Sequence, residues 1–225
     1  MNIGRRIGMA VITISREFGS DGDSISEKVA QSLNYAYIDK AIMEKVLVQY
    51  GLVTFKKVYN SDQSIWDRFD QGKTEMVMML NQTIQAFARL DNSVIVGRGG
   101  FIVLRDFENV LNVCITAPFE SRVNNTMKAR GIAVRQEAEA LVRQKDHVMR
   151  SFLQTFYNVK HMDADWFDLS INTDQISPDV ACKWIMEAAG LLSKKTIDPK
   201  SSTASIEINT VLENTVAEIT AKLRK

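Results

Sequence analysis

Cysteine and histidine are scarce in this chain, with two of each among 225 residues. Cys114 and Cys182 both lie inside apolar segments, so they read as buried, reduced thiols of a cytoplasmic protein and not as a disulfide framework. Two scattered histidines, His147 and His161, do not complete a metal site with them. An excess of charge of one sign is also missing: 28 Lys and Arg against 27 Asp and Glu leave a net +1. That removes the electrostatic case for binding nucleic acid or an anionic membrane, while leaving room for local Arg clusters that take a small phosphorylated ligand. No window approaches the roughly 18 apolar residues of a membrane span. The start, with Arg5 and Arg6 before a short apolar run that stops at Ser15-Arg16-Glu17, does not read as a signal peptide.

What the chain does have is a hydrophobic fraction of 45%, enough for one sizeable α/β core. Its most informative stretch runs from Ala10 to Ala30. Val11-Ile12-Thr13-Ile14 reads as a buried strand, Phe18 to Ser24 as a turn of small residues, and Ile25, Val29 and Leu33 fall at helical spacing. Strand, glycine turn and helix form a phosphate cradle, because loop amides and the positive end of the helix dipole converge on an anion. A complete loop of this kind reads G-x-x-x-x-G-K-[ST]. With Gly22 as its second glycine, Ser24 supplies the metal-side hydroxyl, but Glu17 stands at the first glycine and Asp23 at the lysine. Spacing alone leaves two readings open, a phosphate cradle or an ordinary βα turn with Ser or Asp caps.

Further along, Tyr35 to Asp39 reads as a second strand and Lys40 to Tyr50 as a helix. Residues 51–72 are mixed and polar, with Trp66 and Phe69 as isolated anchors, and short helices are expected there. Met76, Leu80, Ile84 and Phe87 define an amphipathic helix over 74–90. Val94-Ile95-Val96 is an apolar strand cut off by Gly97-Arg98-Gly99-Gly100, and Val110 to Ala117 is a strand closed by Pro118. Helices follow over 120–130 and 135–157, separated at Gly131. Leu169 to Thr173 is the last strand, and Pro178 opens a helix to about Leu192. Alternating strands and helices, with strands apolar on both faces, predict a parallel sheet between helical layers, with ligands at the carboxyl ends of the strands. The glycine turn, Asp39 and Gly97 to Gly100 all fall at those ends. Residues 193–204 read as a polar linker, and 205–225 as an amphipathic helix that packs either on its own domain or on a second subunit as a homodimer contact.

Several phrases taken together resemble one family: ITISREFGSDGDSIS, the Tyr37 to Lys40 turn, VIVGRGG, CITAPFESRVNNTMKARGI, KDHVMRSF and FDLSINT. They are similar, in order and spacing, to the cytidylate kinase-like family, over about Ala10 to Leu192. The resemblance implies a P-loop nucleoside monophosphate kinase fold over residues 1–192, with a five-stranded parallel sheet of order 2-3-1-4-5 and a helical lid. It implies transfer of the γ-phosphoryl group of ATP to CMP or dCMP with Mg²⁺, chemistry that needs alignment and positive charge more than covalent help.

On the same resemblance, Gly19, Ser20, Asp21, Gly22, Asp23 and Ser24 would face ATP, with Ser24 on the Mg²⁺ side or else closing the helix. Arg98 would grip the acceptor's monophosphate, and Asp39 would meet the acceptor's sugar or base or cap the next helix. Arg122 would be the lid arginine facing ATP. Asp146 and Arg150 would form the lid's Asp/Arg pair, or an intrahelical ion pair, although the family more often places that Arg where Met149 stands. Relatives usually carry glycine at Asp21 and a basic residue at Asp23, so the loop here is more negative by about three charges. Two functions therefore stay open, an active nucleotide kinase with a divergent loop and a weak or inactive nucleotide-binding module with a regulatory or oligomeric role.

Overall fold

The structure, a computed structural model, describes residues 10–49, 70–90, 92–160 and 162–223. The expectations placed on Arg5 and Arg6, on 51–69 with Trp66 and Phe69, and on His161 lie outside those residues.

Five strands are formed by the β-branched runs: β1 Val11–Arg16, β2 Ala36–Ile38, β3 Ser93–Val96, β4 Val110–Thr116 and β5 Leu169–Asn172. They make one sheet of order β2-β3-β1-β4-β5 with every neighbouring pair parallel, as the family resemblance implies. Ile12 is level with Val94 on one side and with Leu111 on the other. Parallel strands need crossover connections, and these are the helices that cover both faces. They are α1 Gly22–Leu33, α2 Lys40–Gln49, α3 Asp70–Arg89, the single turn α4 Gly100–Val103, α5 Phe119–Arg130, α6 Arg135–Tyr157, α7 Pro178–Leu192 and α8 Thr210–Leu223.

The central strand shows why the sheet is buried on both sides. Ile12 and Ile14 join Val94, Val96, Val113 and Ile115 under α1 and α7, whereas Val11, Ile38 and Ile95 join Phe87, Leu80 and Val46 on the side of α2 and α3. Burial of each such side chain contributes about 1.5–3 kcal/mol. Thr13, a buried polar residue inside β1, donates to Asn112 Oδ1 at 2.6 Å, so neither buried group lacks a partner. A third, small cluster of Val123, Ala138 and Val142 joins α5 to α6, and Phe18 packs on it from the loop after β1. The lid therefore has its own core, and the phosphate-loop candidate is pinned to it.

Two features differ from the sequence reading. The single turn α4 follows β3 directly and is too short to leave a periodic signal. Residues 193–204, expected as a polar linker, are docked on the domain. Asn109 Nδ2 donates to Thr203 Oγ1 at 2.7 Å, and Asn109 Oδ1 accepts from the Thr203 amide at 2.9 Å. The Glu108 amide donates to Ser201 O at 2.9 Å. Polar composition signals exposure and cannot reveal such specific pairing. The strap delivers α8 onto α2 and α3, where Leu212, Val216 and Ile219 close the core. Arg89 ties it down through Ile206 O (2.6 Å) and Glu213 (3.5 Å). The apolar stripe of the C-terminal helix is thus buried within its own chain.

Val216 is 0% exposed and Val211, on the same helix, 62%. Val216→Asp leaves an uncompensated charge in the core and is expected to cost roughly 3–5 kcal/mol in urea unfolding. Val211→Asp is expected to stay within about 0.5 kcal/mol of the parent.

Candidate active site: a basic cavity at the strand ends

The turn after β1 is tightly determined. Glu17 N–H donates to Ile115 O (3.0 Å), the Ser20 amide to Glu17 O (3.2 Å), and Ser20 Oγ to Glu17 O (2.7 Å). Gly19 has φ +83°, and a Cβ there would stand 2.6 Å from Arg122 O, so α5 packs directly on the loop backbone. The amide of Ile25 is the first to bond back, to Asp21 O (3.0 Å). Ahead of it, the amides of Gly22, Asp23 and Ser24 have no partner four residues back. This is the arrangement of an anion-binding helix start.

The acidic residues of the loop take three different directions. Glu17 Oε2 accepts from the Ala117 amide at 3.0 Å and lies 3.6 Å from Arg122 Nε, so it staples the loop to the start of α5. Asp21 is exposed, adopts φ 59°, and accepts from Asn125 Nδ2 at 3.4 Å, away from the helix start. Asp23 accepts from Arg16 Nε at 2.7 Å. Both partners are solvent-accessible, 31% and 64%, so this pair contributes only about 0.2–1 kcal/mol. Ser24 Oγ donates to Asp21 O at 2.8 Å, which leaves its lone pairs open.

Arg122 is 5% exposed. Its guanidinium forks onto both Asp146 oxygens at 2.9 and 3.0 Å, while Nε donates to Ala117 O and Nη1 to Phe18 O. One side chain of α5 thereby joins the loop and α6. Arg150 is exposed and lies outside the cavity lining, whereas Lys145, Asp146, Val148, Met149, Phe152 and Leu153 line it. Each residue turns the helix by about 100°, which takes Arg150 off the stripe that includes Met149.

On the other side, β3 ends in three successive left-handed residues, Gly97 (φ 72°), Arg98 (φ 59°) and Gly99 (φ 77°). An arginine in that conformation carries strain of about 1–3 kcal/mol. Tyr157, at the end of α6, holds it there. Its ring would touch a Cβ on Gly99 at 2.3 Å, and its hydroxyl is shared between Asn81 Oδ1 (2.9 Å) and Arg98 O (3.1 Å). The Arg98 guanidinium stacks 5.2 Å above the Phe152 ring. Asp39, at the end of β2, accepts from the Ile42 amide at 2.9 Å and so caps α2.

Between these walls lies a cavity of about 340 Å³ lined by Arg16, Lys40, Arg98, Arg130 and Lys145, with Asp23 and Asp146 as its acidic members. Asp146 is engaged with Arg122, so the space is strongly positive. Burial and then the Arg16 guanidinium push the Arg98 pKa down to about 9. Burial and then Arg98 also lower Lys40, opposed by Glu44 3.4 Å away. Cations held against their own repulsion are set to receive an anion.

The sequence of this chain and its geometry can now be placed among known proteins. The profile of the cytidylate kinase-like family matches residues 11–175. The chain belongs to that family. A cytidylate kinase of Sulfurisphaera tokodaii is 23% identical over 190 residues, covering 83% of this chain and 99% of the relative. Another, of Ignicoccus hospitalis, is 25% identical over 180 residues, covering 79% and 97%. The crystal structure of an uncharacterised protein from Eubacterium ventriosum superposes with a TM-score of 0.64 at 19% identity, covering 81% of this chain and 99% of that one, and shares the fold. The docked strap and α8 lie beyond the family match.

Within this cytidylate kinase-like frame, Arg98, Asp23 and Asp146 line one cavity, whereas Gly19, Ser20, Asp21, Gly22, Ser24, Asp39, Arg122 and Arg150 are not among its lining residues. Sequence reasoning missed Lys40, Arg130, Lys145 and Tyr157 as site residues. Lys145 was detectable as the residue one helical stripe from Met149 and Phe152; Arg130 and Tyr157 gave no such signal. The donors present suit phosphate oxygens: free helix-start amides and guanidinium groups. Among the described residues no group of three or more His, Cys, Asp or Glu could hold a metal. A Mg²⁺ carried in by nucleotide phosphates needs few protein ligands, and the Ser24 hydroxyl fits that requirement.

Two predictions follow from this geometry. Asp146→Ala leaves Arg122 buried without its fork and is expected to lower stability by roughly 3–5 kcal/mol, read by chemical denaturation. The second concerns pH. The folded pKa values of Arg98 and Lys40 lie below their ordinary values, so raising the pH relieves repulsion in the ligand-free fold. The gain in Tm given by sulfate over chloride at equal ionic strength should run the other way, being full near pH 7 and shrinking as pH passes about 9. Differential scanning fluorimetry measures both.

Proposed function

We propose that this protein transfers the γ-phosphoryl group of ATP to a nucleoside monophosphate, with CMP and dCMP as its acceptors. The observation that carries the reading is the cavity in which Arg16, Lys40, Arg98, Arg130 and Lys145 converge between the loop after β1 and the turn after β3. The names of the two archaeal relatives supply the preference for cytidine nucleotides.

In this reading the helix-start amides of Gly22 to Ser24, with Gly19 to Asp21 shaping the loop, hold the donor's phosphate tail. Arg98, clamped by Tyr157 and Phe152, holds the acceptor's monophosphate, and Asp39 marks the end of the cleft where sugar and base would lie. Bound Mg²⁺ would offset charge on the outer phosphate oxygens, beside the Ser24 hydroxyl. Arg122 and Asp146 are positioning residues, because their fork fixes the loop against the lid and engages Asp146 at the cavity wall. Arg150 has no part in this arrangement. Catalysis then rests on alignment and on positive charge placed where the transferring group becomes negative.

A second reading is favoured by one observation. Asp23 lines the cavity at a position where the family resemblance implies a basic residue, and it engages Arg16. A protein that binds nucleotide and turns it over slowly or not at all would have this loop. Coupled ADP release with CMP, dCMP, UMP and AMP separates the two readings: turnover highest with CMP or dCMP supports the kinase, and calorimetric ATP binding without turnover supports the module. For the kinase, Arg98→Ala is expected to lower kcat/KM for the acceptor by about tenfold to a hundredfold, the value of a charged hydrogen bond of roughly 1.5–3 kcal/mol. An unchanged value would remove Arg98 from the acceptor site.

A further inference from the structure

We infer that Arg16 is the catalytic cation that bridges donor and acceptor phosphates, taking over from the side of β1 the task that the loop's missing basic residue would perform. The inference rests on the kinase reading above for its substrates. Three observations carry it.

First, the Arg16 stem crosses the start of α1. A Cβ on Gly22 would stand 2.4 Å from Arg16 Cβ and 2.7 Å from its Cγ, so Gly22 is the residue that lets the arginine pass. Second, the guanidinium ends over the opposite wall: Nη1 lies 2.6 Å from where a Cβ on Gly97 would be. A single side chain thus spans from the donor-side helix start to the acceptor-side turn that carries Arg98, and it lines the cavity between them. Third, the hydrogen bond to Asp23 uses Nε alone and is exposed. That bond aims the side chain and leaves the Nη nitrogens for a ligand. The fork geometry of guanidinium suits two oxygens of neighbouring phosphate groups at once. The repulsion that Arg16 exerts on Arg98 is the same proximity seen electrostatically.

The reaction needs no added reagent. The acceptor's phosphate oxygen forms a bond to the γ-phosphorus as the bond from that phosphorus to the bridging oxygen breaks, and ADP leaves with that electron pair. Arg16 contributes charge to the oxygens between the two phosphates and takes no proton. Asp23 orients Arg16 through Nε, so the carboxylate that replaces the loop cation helps to place its substitute.

The test combines turnover with binding of inorganic pyrophosphate, a probe that needs no turnover. Arg16→Gln is expected to lower kcat by about 10²–10³ while KM for CMP changes less than about threefold. Calorimetry should show pyrophosphate bound about tenfold or more weakly by this variant. Asp23→Asn keeps an acceptor for Arg16 Nε while removing a carboxylate, so it should tighten pyrophosphate more in the parent than in the Arg16→Gln background. Equal tightening in both backgrounds, or a kcat for Arg16→Gln close to that of the parent, makes Arg16 a strut and overturns the inference. If the parent turns over no acceptor, the kinase reading falls while the pyrophosphate comparison still decides the place of Arg16. Should Arg16→Gln fail to fold, the parent's own Arg16 Nε–H resonance decides: it should move on saturation with pyrophosphate, and a fixed resonance overturns the inference.

Discussion

The buried guanidinium of Arg122 is the point where loop, sheet edge and lid meet. It touches Asp146 of α6, the carbonyls of Phe18 and Ala117, and the edge of Glu17. A buried ion pair adds little net stability compared with an apolar pair of the same shape. What it adds is geometry, since five hydrogens in a rigid fork fix several carbonyl and carboxylate oxygens together. With Phe18 packed on the small lid core and α5 pressed against Gly19, the loop is held from two sides. The same packing fixes where the amides at the start of α1 point.

The same packing sets where the loop's three carboxylates point. Coulomb repulsion would be severe if Glu17, Asp21 and Asp23 all faced the helix start. They do not. Glu17 is turned to the Ala117 amide and Arg122, Asp21 to Asn125, and Asp23 to Arg16. The left-handed backbone of Asp21 is part of this solution, because Asp tolerates that conformation better than most residues and its side chain leaves the hollow. On the facing wall the strain is reversed in purpose. Arg98 is held left-handed between two glycines, and the Tyr157 hydroxyl and the Phe152 ring fix it over the cavity.

The fold was legible because its signals are local and strong. Runs such as Val94-Ile95-Val96, closed by glycines, can hardly be other than buried strands, and Arg135 to Tyr157 is a helix with those bounds. Of the candidate site residues, those at strand ends could be read, and Arg98 and Asp23 do line one cavity. Roles that depend on direction could not. Arg122 was expected to face ATP and Asp146 to pair with Arg150, yet Arg122 and Asp146, 24 residues apart, meet as one fork. Arg150 was expected on the same face as Asp146, but burial of Met149, Phe152 and Leu153 sets the helix rotation and leaves Arg150 in solvent. The docking of Thr203 on Asn109 could not be read at all, since 94 residues separate two ordinary polar side chains.

The charge balance of the cavity bears on how departures from a family pattern should be read. Replacing a loop cation with Asp23 looks, residue by residue, like the loss of a catalytic group. In three dimensions the same carboxylate lies against Arg16, and Lys40, Arg130 and Lys145 enter from three other elements. Transition-state charge responds to the field at the transferring group, summed over all neighbours, and not to which element supplies each cation. A field built from α2, α5, α6 and β1 tolerates the loss of any one position in the loop. It also ties the site to lid placement, because Arg130 and Lys145 belong to the two helices that Arg122 and Asp146 lock together. The loop and the buried fork are therefore parts of one arrangement: the two helices that the fork joins bring Arg130 and Lys145 to the cavity that Asp23 also lines.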